Sequence, residues 1–224
     1  MPRDALTPDQ IVGAAIELMD AEGLEGLNMR ALGKRLDAAA TAMYWHVKNK
    51  DNLVLLATDR VWGELALPDL DAIGWRAAAT AMATDLYAMF TRHPWLVQVL
   101  ATHLVYGHGK ARHDDRHLAV YETAGFTSDQ ADQATAAVFT YVLGNAAGAA
   151  ATAALTRKLG RDGTTAQHQL HDAMTKAQEI AMGYPWLRAR LHTPAAREYA
   201  AAPDQTFEFG LHAILDGLEQ QRTR

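Results

Sequence analysis

The run Tyr44-Trp45-His46-Val47-Lys48-Asn49-Lys50 puts two aromatic rings, an imidazole and two ammonium groups into seven residues. These side chains suit a surface that meets a nucleic-acid backbone. Lys48 and Lys50 can neutralise phosphates, while Tyr44, Trp45 and His46 can donate hydrogen bonds or lie against sugars and thymine methyls. The same residues also allow a blander arrangement, a buried aromatic pair beside a solvated basic loop.

The ten histidines are the second chemical resource. His113 and His117 stand four apart on one helical face, a spacing that can ligate a transition metal, and His103 and His108 lie just upstream. The intervening Asp114, Asp115 and Arg116 read equally well as a solvated first turn, so no metal ligand and no cofactor is assigned. His168 and His171 read as a solvent-facing edge. Covalent catalysis is poorly supplied: cysteine is absent, and Ser128 is the only serine and reads as a helix cap. Neither a Gly-rich phosphate loop nor a His-Glu-x-x-His motif occurs, and no carboxylate pair stands out, so the chain is not read as an enzyme.

The elements that must position these groups are helical throughout, and the chain is expected to be all-α. Thr7, Pro8 and Gln10 form a capped start, with Leu6 and Ile11 placed as a hydrophobic staple. Ile11, Ala14, Ala15, Leu18 and Met19 make one apolar stripe, and Gly23 stops the helix. Asn28 caps a second helix, a short third one runs to about residue 47, and Asn49 caps a fourth over residues 50–67. This is a three-helix helix–turn–helix module (residues 1–49), a connecting helix (50–67) and a larger helical domain (68–224). In that domain helices are expected at 72–91, 94–105, 113–124, 128–158, 165–182 and 204–221.

Composition sets the bounds. A chain of 224 residues, 49% hydrophobic and 21% charged, is ordinary for a soluble protein. Without cysteine, and with no signal-peptide pattern at Met1-Pro2-Arg3-Asp4, a cytoplasmic protein is expected. The net charge is −5, and seven Lys/Arg face ten Asp/Glu in the first 65 residues. Any DNA contact must therefore come from a local patch. Residues 134–155 carry no charge over bilayer-spanning length, but they are mostly Ala, Thr and Gly with Asn145 among them. A helix buried against other helices is expected there, with no membrane partner.

Residues 7–67 resemble the DNA-binding domain of the tetracycline-repressor (TetR) family of transcriptional regulators. The likeness rests on the first-helix stripe, Gly23-Leu24-Glu25-Gly26-Leu27, Met29-Arg30-Ala31-Leu32 and the 44–50 run. Trp75, His93-Pro94-Trp95, residues 121–131 and residues 207–218 are similar in outline to the family's effector domain. The resemblance implies a homodimer whose modules enter successive major grooves of a palindromic double-stranded operator, released by a small-molecule effector. Arg30 then matches a base-contacting arginine, and Tyr44, Trp45, His46 and Lys50 match phosphate- and base-contacting positions. The departures are informative. Tetracycline-binding members carry Gln-Pro-Thr at the front of the recognition helix, where this chain has Ala40-Thr41-Ala42. Thr41 and Ala42 are therefore expected to face a different operator. Asp37-Ala38-Ala39 lacks the usual serine cap. Ala66, Met82 and Leu86 stand where tetracycline's partners would be, so the ligand is expected to be an apolar or mixed-polarity molecule independent of magnesium.

Met82, Leu86, His103, Tyr106, His117, Phe139 and Tyr141 are expected to face inward and line its pocket, beside the irregular stretch 106–110. Gly144 and Gly148, with Phe207, Leu211 and Leu215 of the last helix, are expected to form the dimer interface, a four-helix bundle of small and apolar faces. A helical binding or scaffolding protein without DNA binding, and a carboxylate-based enzyme, remain the alternatives to a repressor.

Overall fold

A computed structural model describes residues 6–191 and 203–222, and all regular structure among them is helical. Residues 1–5, read above for a targeting signal, lie outside the described residues, as does the side chain of Thr41.

Helix α1 (Pro8–Glu22) begins on the anticipated capping box: Thr7 Oγ1 accepts from Gln10 N, and Gln10 Oε1 from Thr7 N. Gly23, at φ 80°, ends it. After a 3₁₀ turn (Leu24–Gly26), Asn28 caps α2 (Met29–Leu36) by accepting from Ala31 N at 2.8 Å. Asp37 makes the tight turn in the left-handed region, φ 47°. Helix α3 (Ala40–Tyr44) follows with Ala39 at its N-cap, where no side chain accepts the first N–H groups. Ile11, Ala15, Leu32, Met43, Val47 and Leu53 are fully buried and form the core of this end.

Helix α4 (Lys50–Gly63), capped by Asn49, packs on α1 and then runs into the larger bundle. It stops at Gly63, so Ala66 lies past it and is exposed. The bundle comprises α5 (Leu70–Arg92, kinked at Gly74), α6 (Trp95–Thr102), α7 (His108–Glu122) and α8 (Ser128–Asp162). Helix α11 (Pro203–Arg222) packs on α8, whereas α9 (Thr164–Met182) and α10 (Pro185–Arg188), a short helix not anticipated, follow the end of α8 and are almost wholly exposed among the described residues.

Three expectations are corrected here. Helix α7 starts at His108, five residues early, so Asp114–Arg116 sit beyond its first turn. Helix α8 is not buried all round. Ala131, Ala134, Val138, Val142 and Ala146 make one inward face, whereas Gly144, Ala147, Gly148 and Ala151 are exposed. By length and composition, residues 128–160 could cross a membrane. Lastly, Phe207, Leu211 and Leu215 are buried inside this chain, not at a free dimer surface. Phe207 stacks on Tyr87 with centroids 4.3 Å apart, and Arg76 pairs with Asp216 and Glu219 to hold α11 against α5. The apolar face of α11 is wide enough that its inner edge is used internally, leaving Phe209 outward and 78% exposed.

Candidate nucleic-acid interface and buried polar row

At the tip of the small module the 44–50 run splits by direction. Met43 and Val47 are fully buried, while Tyr44 (50%) and Trp45 (89%) face solvent with His46, Lys48 and Lys50. The buried-aromatic reading of this run is thereby removed. Arg30 and Ala42 are also exposed, and Arg30 lines a surface groove with Met29, Gly33, Lys34 and residues 37–39. Arg35 and Arg60 are committed elsewhere, to Glu17 at 2.6 Å and Asp9 at 2.8 Å. Arg30 and Lys34 share that groove and, with the exposed Lys48, are the candidates for a local basic patch. Lys50 is partly tied down, donating to Leu24 O at 3.4 Å.

The module is fastened to the bundle by polar clamps. Asp20 Oδ1 accepts from Trp95 Nε1 and contacts His93 Nδ1, both at 2.7 Å. A carboxylate can only accept, so Nδ1 of His93 is the protonated nitrogen. Gln98 Nε2 donates to Glu25 Oε1 at 2.7 Å. That bond, then a backbone N–H, with help from Arg157 and Lys50, holds the Glu25 carboxyl below the usual carboxylate range. Farther along α4, Asp59 Oδ1 accepts from Gly109 N at 2.7 Å. Arg112 of α7 covers the end of α4 by donating to Gly63 O and Leu65 O.

Between α4, α7 and α8 lies a polar row inside the core. His113, His117 and Tyr121 succeed one another at four-residue spacing on α7, with ring centroids 5.6 and 5.5 Å apart. Trp62 of α4 meets His113 edge-on at 5.2 Å and stacks on Phe139 of α8 at 6.4 Å. Six buried atoms here and on the same face of α8 lack a hydrogen-bond partner among the described residues: Trp62 Nε1, both ring nitrogens of His113, His117 Nε2, Tyr121 OH and Thr135 Oγ1. Orphaned buried donors and acceptors cost about 1–3 kcal/mol each, so such a concentration is unusual for a merely structural core. Burial, with His113 beside it, lowers His117 to about 4 against the opposing charge of Asp114. Burial also raises the Tyr121 phenol. Burial raises Asp114 too, but His113 and the paired Lys110 outweigh it and hold that carboxyl below its ordinary value. His113 Nδ1 stands 3.9 Å from Asp114 Oδ1, too far for a hydrogen bond.

Of the pocket residues expected from sequence, His117 and Phe139 belong to this row, and Met82 and Leu86 are fully buried in the same core. The others are placed elsewhere. Tyr106 is 67% exposed and His103 lies near Asp51 at the surface of the α6–α7 turn. Tyr141 donates to Thr206 O and Phe207 O, joining α8 to α11. Sequence reasoning missed Trp62, His113 as a lining group, Tyr121 and Thr135. The i, i+4, i+8 progression 113–117–121 was the signal available. Among the described residues no three His, Asp or Glu side chains converge as a metal site.

This row makes a pH prediction. Below pH 6.5 the unfolded chain protonates His117 while the folded chain refuses the proton until about 4. The group costs nothing above 6.5, and stability falls as pH drops from there, by about 2 kcal/mol between pH 7 and 5. Urea unfolding at both pH values should show that loss shrinking by this amount in His117→Phe. An unchanged difference would mean the ring is solvated.

Residues 11–57 match the family model for bacterial regulatory proteins of the tetR family, and residues 67–222 match the tetracyclin repressor-like C-terminal domain. The chain belongs to the TetR family. Among its relatives in that family is the HTH-type transcriptional repressor DrrR1 of Streptomyces coeruleorubidus, 34% identical over 97% of this chain and 79% of that protein. The tetracycline repressor protein class C of Escherichia coli is 26% identical over 97% of this chain and 92% of its own length. Of solved structures, the TetR-family protein ActR of Streptomyces coelicolor in complex with actinorhodin superposes with a TM-score of 0.72 at 25% identity, covering 96% of each chain.

Proposed function

We propose that this protein is a ligand-responsive transcriptional repressor that binds a palindromic operator as a homodimer and lets go when a small molecule enters its core. The carrying observation is the course of α4. One end follows directly on Trp45–Lys48, and the other puts Trp62 into the polar row and is clamped to α7 at Asp59 and Arg112. A molecule reaching the orphaned atoms must part α4, α7 and α8, and α4 carries the reading head with it. The regulators named above, one of them crystallised with actinorhodin, support a small-molecule effector. A tenfold loss of operator affinity needs about 1.4 kcal/mol of preference for the parted conformation. With Met82 and Leu86 apolar, that effector binds without magnesium. The protein works in the cytoplasm, where the operator is, and not as an enzyme.

The test is an electrophoretic shift on DNA upstream of its own gene, with and without effector. Lys48→Ala should weaken binding on every sequence and flatten the slope of log K against log salt by about one unit per protomer. Arg30→Ala should instead relax preference at one base pair per half-site, by about 1–3 kcal/mol. Parent-like binding by both variants would misplace the interface.

For the homodimer, the partner's α8 and α11 meet the exposed small-residue face at Gly144 and Gly148, where an added Cβ meets nothing within this chain. The outward Phe209 joins that face. Gly148→Leu should therefore leave folding intact but raise the dimer dissociation constant, read by sedimentation. A parent-like constant would put the interface elsewhere.

A further inference from the structure

Glu25, in the 3₁₀ turn after α1, is addressed from two helices of the bundle at once. Its Oε1 accepts from Gln98 Nε2 of α6 at 2.7 Å. Its Oε2 lies beside Gly23, where an added Cβ would stand 3.1 Å from that oxygen and 3.4 Å from Nη2 of Arg157. Arg157 belongs to the last part of α8, and it lines one groove with Ala21, Glu22, Gly26 and Asn28 of the small module. The bundle therefore reaches the module here through a carboxylate, well away from the Asp20 clamp.

On the module's own side, Lys50 Nζ donates to the carbonyl of Leu24, the residue before Glu25. At 3.4 Å that bond is long and weak. Lys50 opens α4, directly after the exposed 44–48 run, and its ammonium is close enough to favour the charged form of Glu25, as Arg157 does. One carboxylate thus stands among three donors from α4, α6 and α8, of which only Lys50 belongs to the reading head. Glu25, Gln98 and Lys50 are exposed and Arg157 is half-buried, so each pairing is shallow and partners exchange readily.

We propose that Glu25 is a positioning residue for operator binding that acts through Lys50. While Gln98 and Arg157 engage its oxygens, the Lys50 ammonium can leave Leu24 O for a phosphate. When α6 or α8 draws back, the carboxylate takes Lys50 as its partner and the phosphate loses it. The bundle then speaks to the reading head through a charge as well as through the course of α4. This rests on the chain binding an operator, and a measurement without DNA separates the two.

The experiment uses the full chain, titrated with DNA upstream of its own gene, and acetylation of Lys50 by acetic anhydride read by mass spectrometry. Gln98→Ala and Arg157→Ala should each weaken binding about threefold on every sequence. Gln98→Ala should also flatten the slope of log K against log salt, because a phosphate contact is lost. Glu25→Gln, which keeps an oxygen for Gln98 and loses the charge, should tighten binding by a similar factor. Added to Glu25→Gln or to Lys50→Ala, Gln98→Ala should have no further effect. Without DNA, Lys50 should acetylate more slowly in Gln98→Ala than in the parent, since a paired ammonium holds its proton more firmly. Adding Glu25→Gln should restore the parental rate. A clamp that only stiffened the junction would give a Gln98→Ala loss that persists in both backgrounds, or Lys50 acetylation that does not change, and either would overturn the proposal. The acetylation pattern without binding to any DNA would leave the exchange of partners standing and remove the operator reading. Operator binding with acetylation unaffected would do the reverse.

Discussion

Asp20→Ala is expected to cost more than any other single truncation at the junction between module and bundle. The carboxylate is the shared acceptor of His93 and Trp95, which are 6% and 2% exposed. Removing it orphans two ring donors, each worth about 1–3 kcal/mol. For a chain of this length each kcal/mol lowers Tm by roughly 2–4 °C. The functional loss should exceed the thermal one. The module would still bind operator, but effector would release it less completely, because the α5–α6 corner would no longer move with α1. Asp20→Asn keeps an acceptor for Trp95 and should recover part of both effects. A variant that melts and releases operator like the parent would show that the clamp carries no load.

Gly109→Ala should damage the other end of the linkage. A Cβ at Gly109 would sit against the carbonyl oxygen of Asp59 and within 2.6 Å of Gly63 N, both backbone atoms that no rotamer change can move. Helix α4 must then back away from α7, losing the Asp59–Gly109 hydrogen bond and loosening Arg112 from the α4 terminus. Overpacking of this kind costs about 1–3 kcal/mol and occasionally more. The expected phenotype is weakened operator binding without effector, since the strain favours the parted arrangement. Calorimetric melting and an operator titration read the two parts. Wild-type values in both would mean that α4 and α7 slide freely.

The helices of the module were legible because caps are local. Thr7, Asn28 and Asn49 each accept the N–H that their spacing foretold, and Gly23 ends α1 where a glycine can. The exposed side of the 44–50 run was open to two readings, and only the burial of Met43 and Val47 between the polar residues decides it. The start of α7 was misplaced because its N-terminus is held by Asp59, fifty positions earlier, a contact no local pattern encodes. The same cause hid the polar row. The four-residue spacing of His113 and His117 does not show that Trp62 of another helix, itself stacked on Phe139, lies against His113. Phe207, Leu211 and Leu215 were correctly read as apolar, but an apolar stripe does not say whether its cover is the same chain or another. Tyr87 and Arg76 supply the answer.

Helix α3 has five residues and an alanine at its cap. So short a helix cannot repay its own nucleation, and Ala39 accepts from Ala42 N through its carbonyl but offers no side-chain cap. Its buried anchors are Met43 and Val47, while Tyr44, Trp45 and His46 face solvent. In the proposed operator complex, binding is expected to firm up α3, with part of the contact energy spent on that ordering. Calorimetry across temperature should register this as a more negative heat-capacity change than the apolar area of the contact alone predicts. An Ala39→Ser exchange, which restores the cap oxygen, should tighten binding to all operators alike while leaving their ranking unchanged.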